Sequence, residues 1–191
     1  MSEQAGAGGV EVRVLDGEQT ARLEDGLRQV FREAFAEPPY GETTPADVDR
    51  AFKRFRSQTR KAGFLAAIAT APDGQVVGMA YGYPLAASTR WWDTLTTPVP
   101  DELRREDGKR TFGLFELAVR PAWRRQHVAT RLHTALTEAV TNANERVMLN
   151  SRPEATAAQA AYRAWGYQYA GTAIPWEGAA PHHVLLLELR A

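Results

Sequence analysis

Apolar residues in the first half of the chain follow two periods. They alternate with polar residues over residues 10–15, which predicts a first strand. Over residues 23–35 they recur at every third or fourth position, which predicts an amphipathic helix. A second helix is predicted from Thr44-Pro45 onward, because threonine can cap a helix and proline is favoured at its first position. Residues 64–70 and 76–83, joined through an Asp-Gly turn, predict a β-hairpin.

The second half of the chain predicts strands that alternate with helices. Residues 84–110 form a long connection, and connections of this length are usually functional or disordered. The small and polar residues 1–9 predict a disordered tail, and residues 10–191 a single domain without an internal repeat. The predicted elements are strands over residues 111–119, 146–150, 167–174 and 184–189, and helices from Val128 and over residues 156–165.

Charge and cysteine content exclude several classes of function. Basic and acidic residues number 23 each among 191, so no general attraction to nucleic acid or to an anionic membrane is expected. The absence of cysteine excludes thiol nucleophiles, disulfides and thiolate metal sites. The first residues lack the basic and apolar segments of a signal peptide, and no apolar run approaches the roughly 20 residues of a membrane span. A cytoplasmic protein is therefore expected.

The histidines do not suggest a metal site. His182 and His183 are neighbours, which a strand would point to opposite faces, and a metal site needs more ligands than these two. The helical period places His133 on the polar face of its helix, where no role is assigned to it. No metal is therefore expected.

A basic loop between the strand over residues 111–119 and the helix from Val128 has the physical character of an anion site. The first N–H groups of a helix lack partners, and the helix dipole places partial positive charge there. Arg124 and Arg125 add forked donors that suit phosphate oxygens. From this physics alone, a solvated basic loop is an equal alternative.

The segment from Glu116 to Leu132 resembles the acetyl-CoA-binding segment of the GCN5-related N-acetyltransferases (GNAT). Ala158 and Tyr162, followed by Gly166-Tyr167, are similar to the family's second signature, Asn-x-x-Ala-x-x-x-Tyr before Gly-Phe/Tyr. The order of predicted elements also agrees with the family over nearly the whole chain. The resemblance implies an α/β (α+β) fold with a mixed, mostly antiparallel central sheet of six to seven strands. About four helices would flank the sheet, and its fourth and fifth strands would be splayed.

The resemblance implies acetyl-CoA as the cofactor, with its pyrophosphate on the loop and helix start. Three positions depart from the family's pattern: His127 and Arg125 stand where glycine is common, and Ala155 replaces the asparagine. His127 either tolerates a helical φ with its ring turned outward, or touches a phosphate, or weakens cofactor binding. The residues implied to contact the cofactor are Leu117, Ala118, Val119, Arg124, Arg125, Gln126, His127, Val128, Ala129, Thr130, Ala155 and Ala158.

Glu116 and Tyr162 are the candidate catalytic residues. Alkyl amines titrate near pH ~10, so a carboxylate must accept the proton of the amine, directly or through water. Glu116 is the only acid in an apolar strand, where burial would raise its pKa; alternatively it faces solvent or pairs with an arginine. A backbone N–H near Leu117 or Ala118 would polarise the thioester carbonyl. The resemblance implies Tyr162 as the acid, and a core tyrosine is the alternative.

Acceptor-side residues are expected in two loops that the family uses to shape its substrate pocket. Glu37 and Tyr40 lie in the first loop, and Trp91 and Trp92 in the second, where adjacent tryptophans suggest an aromatic wall. A tryptophan that anchors its loop to the core is an equal alternative. The leading hypothesis is acetylation of a primary amine, one of a small molecule, without a nucleic-acid or membrane partner. The alternatives are acetylation of a protein N-terminus or lysine, and a catalytically weak acyl-CoA-binding sensor; a homodimer, frequent in the family, stays open.

Overall fold

Seven strands form one mixed sheet in the computed structural model, which describes residues 9–41 and 44–189. The strands are β1 (Glu11–Asp16), β2 (Leu65–Thr70), β3 (Val76–Pro84), β4 (Thr111–Val119), β5 (Arg146–Ser151), β6 (Gln168–Ala173) and β7 (His182–Glu188). Their order in the sheet is β1-β2-β3-β4-β5-β7-β6. The β4–β5 pair is parallel, whereas the β1–β2, β2–β3, β5–β7 and β6–β7 pairs are antiparallel. The predicted mixed, mostly antiparallel sheet is confirmed.

The helices follow the predicted order, and the structure adds two short ones. The helices are α1 (Gly17–Ala21), α2 (Glu24–Ala34), α3 (Pro45–Gln58), α4 (Asp101–Arg104), α5 (Val128–Val140) and α6 (Thr156–Ala164). α1 and α4 span too few residues to show a helical period in the sequence. α3 begins as predicted, because Thr44 caps the helix with Pro45 at its first position and forms a reciprocal capping box with Asp47. The predicted tail, residues 1–9, lies outside the described residues apart from Gly9.

Pairing between β4 and β5 is short. It joins Thr111–Gly113 to Arg146–Met148, although the two strands continue to Val119 and Ser151. This short parallel pairing agrees with the splayed fourth and fifth strands that the resemblance implies.

The described residues group into two compact units. One unit contains the chain up to Tyr83 together with Glu116–Ala139, and the other contains Pro84–Phe115 together with the chain from Val140 onward. The expectation of a single domain over residues 10–191 stays a prediction.

An aromatic cluster forms the core of the first unit between α2, α3 and β3. The ring of Phe52 lies 6.1 Å from that of Phe31 and 5.2 Å from that of Phe55, and Phe55 lies 5.4 Å from Tyr81. On the other face of β3, α5 packs so closely that a Cβ at Gly78 would lie 2.9 Å from a methyl group of Leu132. The first unit therefore holds α5, and with it the basic loop, tightly against β3.

In the second unit, the long connection over residues 84–110 closes the outer edge of the sheet. Leu95 pairs with Ala173 of β6, and the Thr96 N–H donates to the Thr172 carbonyl at 2.8 Å. Because β6 is the last strand of the sheet, these bonds cover an edge that would otherwise offer unpaired N–H and C=O groups.

A buried ion pair with β5 also holds the long connection over residues 84–110 in place. The side chains of Arg146 on β5 and Glu106 in the connection are 2% and 1% exposed and lie 3.2 Å apart. Glu106 also accepts hydrogen bonds from the Trp92 ring N–H at 2.9 Å and from the Thr111 hydroxyl at 2.7 Å. The Arg146 guanidinium lies over the Trp92 ring, 5.2 Å from its centre. The connection is therefore a packed part of the second unit.

Candidate functional site

The basic loop starts where β4 ends, at a residue held on three sides. The Arg120 N–H donates to the Val77 carbonyl at 2.9 Å, which continues the antiparallel bonding of β3. The Arg120 guanidinium bonds to Glu33 at 2.8 Å and to Gln75 at 2.9 Å. A short 3-10 turn, Pro121–Trp123, follows and leads into the loop. The start of the loop is therefore rigid.

The loop backbone is left-handed at the two positions where the family commonly has glycine. Arg125 has φ +61° and His127 has φ +59°, and these are the non-glycine residues with positive φ in the described chain. The interpretation that His127 tolerates an ordinary helical φ is therefore wrong, since its φ has the opposite sign. Left-handed backbone costs a residue with a Cβ about 1–2 kcal/mol. The loop thus keeps a glycine-like path in spite of its side chains.

A loop backbone of this kind can bind an anion. Alternating positive and negative φ values turn successive N–H groups toward one side, which makes an anion-binding concavity. The loop runs into α5, whose first N–H groups have no partner within the helix. Val128 is buried at 1% exposure, which fixes the helix start, whereas the Arg125 and His127 side chains are exposed. Backbone and side-chain donors therefore meet at the surface of the first unit.

Arg124 bonds to three groups of the protein, and its predicted phosphate contact stays a prediction. Its guanidinium donates to the Ala34 carbonyl at 3.0 Å, to the Val119 carbonyl at 3.3 Å and to Glu37 at 2.7 Å. Ala34 is the last residue of α2, where the helix dipole favours a positive charge. Arg124 therefore ties the loop to β4 and α2. Among the arginines of the loop, Arg125 is the one without an ion pair to a described residue.

The two first-loop residues predicted on the acceptor side lie close to this arrangement. Glu37 is the carboxylate that pairs with Arg124, so the structure brings together two residues that the sequence assigns to different subsites. The Tyr40 ring packs edge-on against Phe35 at 4.9 Å. Substrate contacts by Glu37 and Tyr40 stay predictions.

Glu116 is half-buried near the middle of β4. Burial raises the pKa of Tyr81 well above its ordinary value, and the negative charge of Glu116 is the second cause of this rise. Tyr81 is 5% exposed, so a neutral phenol lies within reach of the field of Glu116. Tyr81 is not among the candidate residues that the sequence indicates. The Arg120–Val77 bond sets the register in which Glu116 of β4 lies opposite Tyr81 of β3. This register depends on the fold, so no local sequence pattern marks Tyr81.

The end of β4 carries the other predicted cofactor contacts of the strand. Ala118 and Val119 are 4% and 8% exposed, and Leu117 is half-buried. In α5, Ala129 is half-buried and Thr130 exposed, while Gln126 in the loop donates its side-chain amide to the Ala122 carbonyl at 3.1 Å. These placements leave the predicted contacts as predictions.

In the second unit, Tyr162 lies on α6 with 9% of its surface exposed. Its ring packs edge-on against Tyr167 at 5.5 Å and Trp165 at 5.7 Å. Burial, followed by the charge of Tyr162, raises the pKa of Tyr167 well above its ordinary value. Ala155 is the N-cap residue of α6, where it supplies no side-chain cap, and Ala158 is half-buried. The role of Tyr162 as an acid stays a prediction, and its packing is also that of a core tyrosine.

The two adjacent tryptophans have different surroundings. Trp92 is 3% exposed and its ring N–H is already bonded to Glu106, which is the anchoring role that the sequence left as an alternative. Trp91 is half-buried and stands edge-on to Trp92, with ring centres 4.9 Å apart. Trp91 is therefore the tryptophan with surface left for a ligand.

The structure places His133 on the buried face of α5 and not on its polar face. It is 5% exposed on α5, and burial lowers its pKa to about 4. The prediction that it lies on the polar face is wrong, because the buried stripe of α5 is wider than the period of its aliphatic residues indicates. In the part of the chain that the structure describes, no group of three His, Asp or Glu residues could hold a metal ion. No helix of this part is long and apolar enough to span a membrane.

Comparison with known proteins identifies the arrangement. The model of the acetyltransferase (GNAT) family matches residues 26–167. None of the curated proteins matches the sequence. Similar solved structures include PaiA N-acetyltransferase from Thermoplasma acidophilum in complex with coenzyme A, at 12% identity and a TM-score of 0.63, covering 94% of this chain and 98% of that one.

Two further solved structures have the same fold. Aminoglycoside 6'-acetyltransferase type Ii is 16% identical with a TM-score of 0.66, covering 95% of this chain and 98% of that one. The ribosomal-protein-S18-alanine N-acetyltransferase from Escherichia coli is 15% identical with a TM-score of 0.63, covering 95% of both chains. At such identities the likeness extends to the fold.

Proposed function

Because the chain belongs to the GNAT family of acetyltransferases, we propose that it transfers an acetyl group from acetyl-CoA to the primary amine of a small molecule. The observation that carries the proposal is the left-handed backbone at Arg125 and His127 just before α5. Strained backbone is concentrated at functional sites such as ligand clamps, and alternating φ of this kind would turn N–H groups toward a common anion position.

The loop fits the pyrophosphate of coenzyme A by its donors. The N–H groups of residues 125–130 and the exposed Arg125 guanidinium would hold the phosphates, and Arg124 would keep the loop in place from behind. Bound acetyl-CoA supplies an activated acyl group on a thioester sulfur. Because the binding groups belong largely to the backbone, His127 is compatible with this role.

The protein's own residues would then manage protons and charge. Glu116 would accept a proton from the acceptor ammonium, directly or through water, so that the amine becomes a nucleophile. A backbone N–H at Leu117 or Ala118 would donate to the carbonyl oxygen as negative charge develops there. The Tyr162 hydroxyl would hold the proton that the departing thiolate needs.

A small-molecule acceptor is favoured by the connection over residues 84–110. This segment is fixed by the buried Arg146–Glu106 pair and by its bonds to β6, so Trp91 stands on a rigid wall. Rigid walls suit a defined pocket, whereas recognition of a protein N-terminus usually needs an open groove for the peptide. Solved neighbours act on both kinds of acceptor according to their names, so the acceptor class rests on this wall.

Binding and turnover test the proposal separately. Acetyl-CoA should raise the melting temperature of the protein, and thiol release should appear with small amines and stay low with N-terminal and lysine peptides. Turnover that prefers the peptides would overturn the small-molecule assignment. Binding without turnover of any amine would favour an acyl-CoA sensor, and no binding would contradict both functions.

Two substitutions test the proposed chemistry. Glu116→Gln should lower the rate at neutral pH by 10²–10⁴-fold, the usual range for a general base, with little change in acetyl-CoA affinity. The exposed Glu138→Gln is its control. Tyr162→Phe should lower the rate with acetyl-CoA, while Tyr169→Phe, at a ring 57% exposed, should not. Unchanged kinetics in either test variant would remove that residue from the mechanism.

A further inference from the structure

Two buried polar atoms at the carboxyl end of β5 have no hydrogen-bond partner in the described part of the chain. They are the Asn150 side-chain carbonyl oxygen and the Ser151 hydroxyl oxygen. Buried polar groups in native proteins are nearly always bonded, so each exception calls for an explanation such as a ligand. The two residues are neighbours on a strand, and they therefore point to opposite faces of the sheet.

The face of Asn150 is the one that carries the tryptophans. Arg146, Met148 and Asn150 alternate along β5, so they share a face. Arg146 lies over Trp92, and Met148 is buried in one cluster with Trp92, against which Trp91 packs. Val184, directly opposite Asn150 on β7, belongs to the same cluster. Asn150 is thus the third residue on this face of β5, after Arg146 and Met148, which both pack against Trp92 of the long connection.

Ser151 belongs to the other face. It pairs with His183, whose side chain lines a surface cavity with Gln159 and Arg163 of α6. Ser151 therefore offers a matched comparison, because it is adjacent in sequence and its side-chain oxygen is also buried without a partner, but it is turned away from the tryptophans.

We propose that the Asn150 side-chain carbonyl is a substrate-binding group that selects acceptor amines carrying a second N–H or O–H donor. The proposal rests on the proposed acetyltransferase function and names the acceptor class within it. Trp91 is half-buried and packs against the cluster on this face, and Asn150 is a polar position of the same face whose side-chain carbonyl has no hydrogen-bond partner among the described residues. An amide carbonyl cannot remove a proton from an ammonium at neutral pH, so Asn150 binds the acceptor and leaves proton transfer to other groups.

The preference for such amines follows from the free-energy cost of leaving the buried Asn150 carbonyl without a hydrogen bond. An amine with a second donor would satisfy the buried carbonyl, whereas an amine with a methyl group in its place would leave the carbonyl unbonded. Sites that are built to bond a polar group discriminate strongly against analogues that lack it. Without substrate, the same unmet carbonyl destabilises the fold, so an apolar residue at position 150 should stabilise it.

The test uses pairs of amines that differ by one donor. Ethanolamine is compared with propylamine, and 1,3-diaminopropane with butylamine, by thiol release and by the shift in melting temperature in the presence of coenzyme A. Wild type should prefer the donor-bearing member of each pair at least tenfold in kcat/KM. In Asn150→Leu the two amines of each pair should have about equal kcat/KM, and the KM of acetyl-CoA should be unchanged. The melting temperature of this variant should rise by about 2–4 °C. Ser151→Ala should keep the preference.

The outcomes separate this proposal from the function on which it rests. Equal turnover of both members of each pair in wild type, or a preference that survives in Asn150→Leu, would overturn the role of Asn150 and leave acetyl transfer intact. A raised KM for acetyl-CoA in Asn150→Leu would also overturn it by assigning the residue to the cofactor. Acetyl-CoA binding without turnover of any amine would contradict the proposed function, while the melting-temperature shifts still report whether donor-bearing amines are selected.

Discussion

The basic loop over residues 120–127 and the long connection over residues 84–110 are both irregular, and each is held by an arginine, but in opposite ways. Arg124 in the loop and its partner Glu37 have side chains 38% and 60% exposed. Arg146 and Glu106 at the connection are 2% and 1% exposed. The first arginine thus works at the surface, through carbonyls and one solvated carboxylate, and the second works inside the core.

This difference indicates how the protein divides stability from function. Exposed ion pairs contribute up to about 1 kcal/mol, so the Arg124–Glu37 pair adds little to stability, in a loop that has left-handed backbone at Arg125 and His127. Removing one partner of a buried pair leaves an uncompensated charge, which makes the connection costly to disturb. The loop is suited to bind an anion, and the connection is suited to be a wall.

Arg146→Met should have the largest effect. It leaves Glu106 charged and buried, and we expect the free energy of unfolding to fall by about 3–5 kcal/mol in urea denaturation. The connection should also become sensitive to protease within residues 84–110. The double variant Arg146→Met with Glu106→Gln should recover much of the loss, because no unpaired charge remains. A loss below about 1 kcal/mol in the single variant would show that the pair does not anchor the connection.

The buried His133 on α5 gives the loop-bearing unit its own pH dependence. Burial lowers the pKa of His133 to about 4, against about 6.5 in an unfolded chain. Between these values the unfolded state binds more protons, so this contribution is fully present above pH ~6.5 and is lost as the pH falls to ~4. The expected loss is about 3 kcal/mol, measured as the free energy of unfolding against pH.

The control for this pH dependence is a second histidine. His133→Leu should flatten the stability profile between pH ~4 and ~6.5. His127→Gln, which removes an exposed ring, should leave the profile as in wild type. A slope that persists in His133→Leu would assign the pH dependence to other groups.

Arg124→Gln should lower acetyl-CoA affinity more clearly than stability, whereas Arg146→Met acts mainly on stability. The lost bonds to the Ala34 and Val119 carbonyls lie at a partly exposed position, so we expect a loss of about 1 kcal/mol in stability. Acetyl-CoA affinity should fall about tenfold, equal to about 1.4 kcal/mol, because the loop loses its support. Titration calorimetry measures the affinity.

Arg125→Gln is the matched variant for this prediction. Its exposed side chain makes no ion pair with a described residue, so stability should stay unchanged while affinity falls by a similar factor. Equal stability losses in both variants would contradict the assignment of Arg124 as the support and Arg125 as the phosphate contact.

Strong local patterns explain how much of the fold could be predicted. The strand over residues 111–119 has the bounds that its apolar pattern indicates, and Thr44-Pro45 starts α3 as its capping chemistry predicts. The short helices α1 and α4 were missed because neither spans two helical turns. His133 was placed on the wrong face because period alone does not reveal how wide the buried stripe of a helix is.

The candidate site was predictable where a motif is local and unpredictable where partners are distant. The position of the loop follows from the residues before α5. That Arg124 turns inward depends on Ala34 and Glu37, which the fold brings to it from elsewhere in the sequence. The Arg146–Glu106 pair likewise joins residues 40 apart, and no periodic pattern marks it.

The smallest expected effect tests the strain in the loop directly. His127→Gly removes the Cβ from a residue at φ +59°, which relieves left-handed strain but adds freedom to the unfolded chain. The net gain in the free energy of unfolding should be about 0.5–1 kcal/mol, and Arg125→Gly should gain as much. Gln126→Gly between them is the control: its φ is not positive, so glycine there should cost about 0.5–1 kcal/mol in backbone freedom, in addition to the lost bond to the Ala122 carbonyl.

Cofactor affinity then decides what the His127 ring does. If the ring is a bystander, His127→Gly should keep or tighten acetyl-CoA binding, since the N–H groups of the loop remain in place. A loss of tenfold or more, about 1.4 kcal/mol, would show that the ring itself contacts a phosphate. A stability gain combined with that loss would mean that the loop retains strained backbone because the side chain at position 127 serves the ligand.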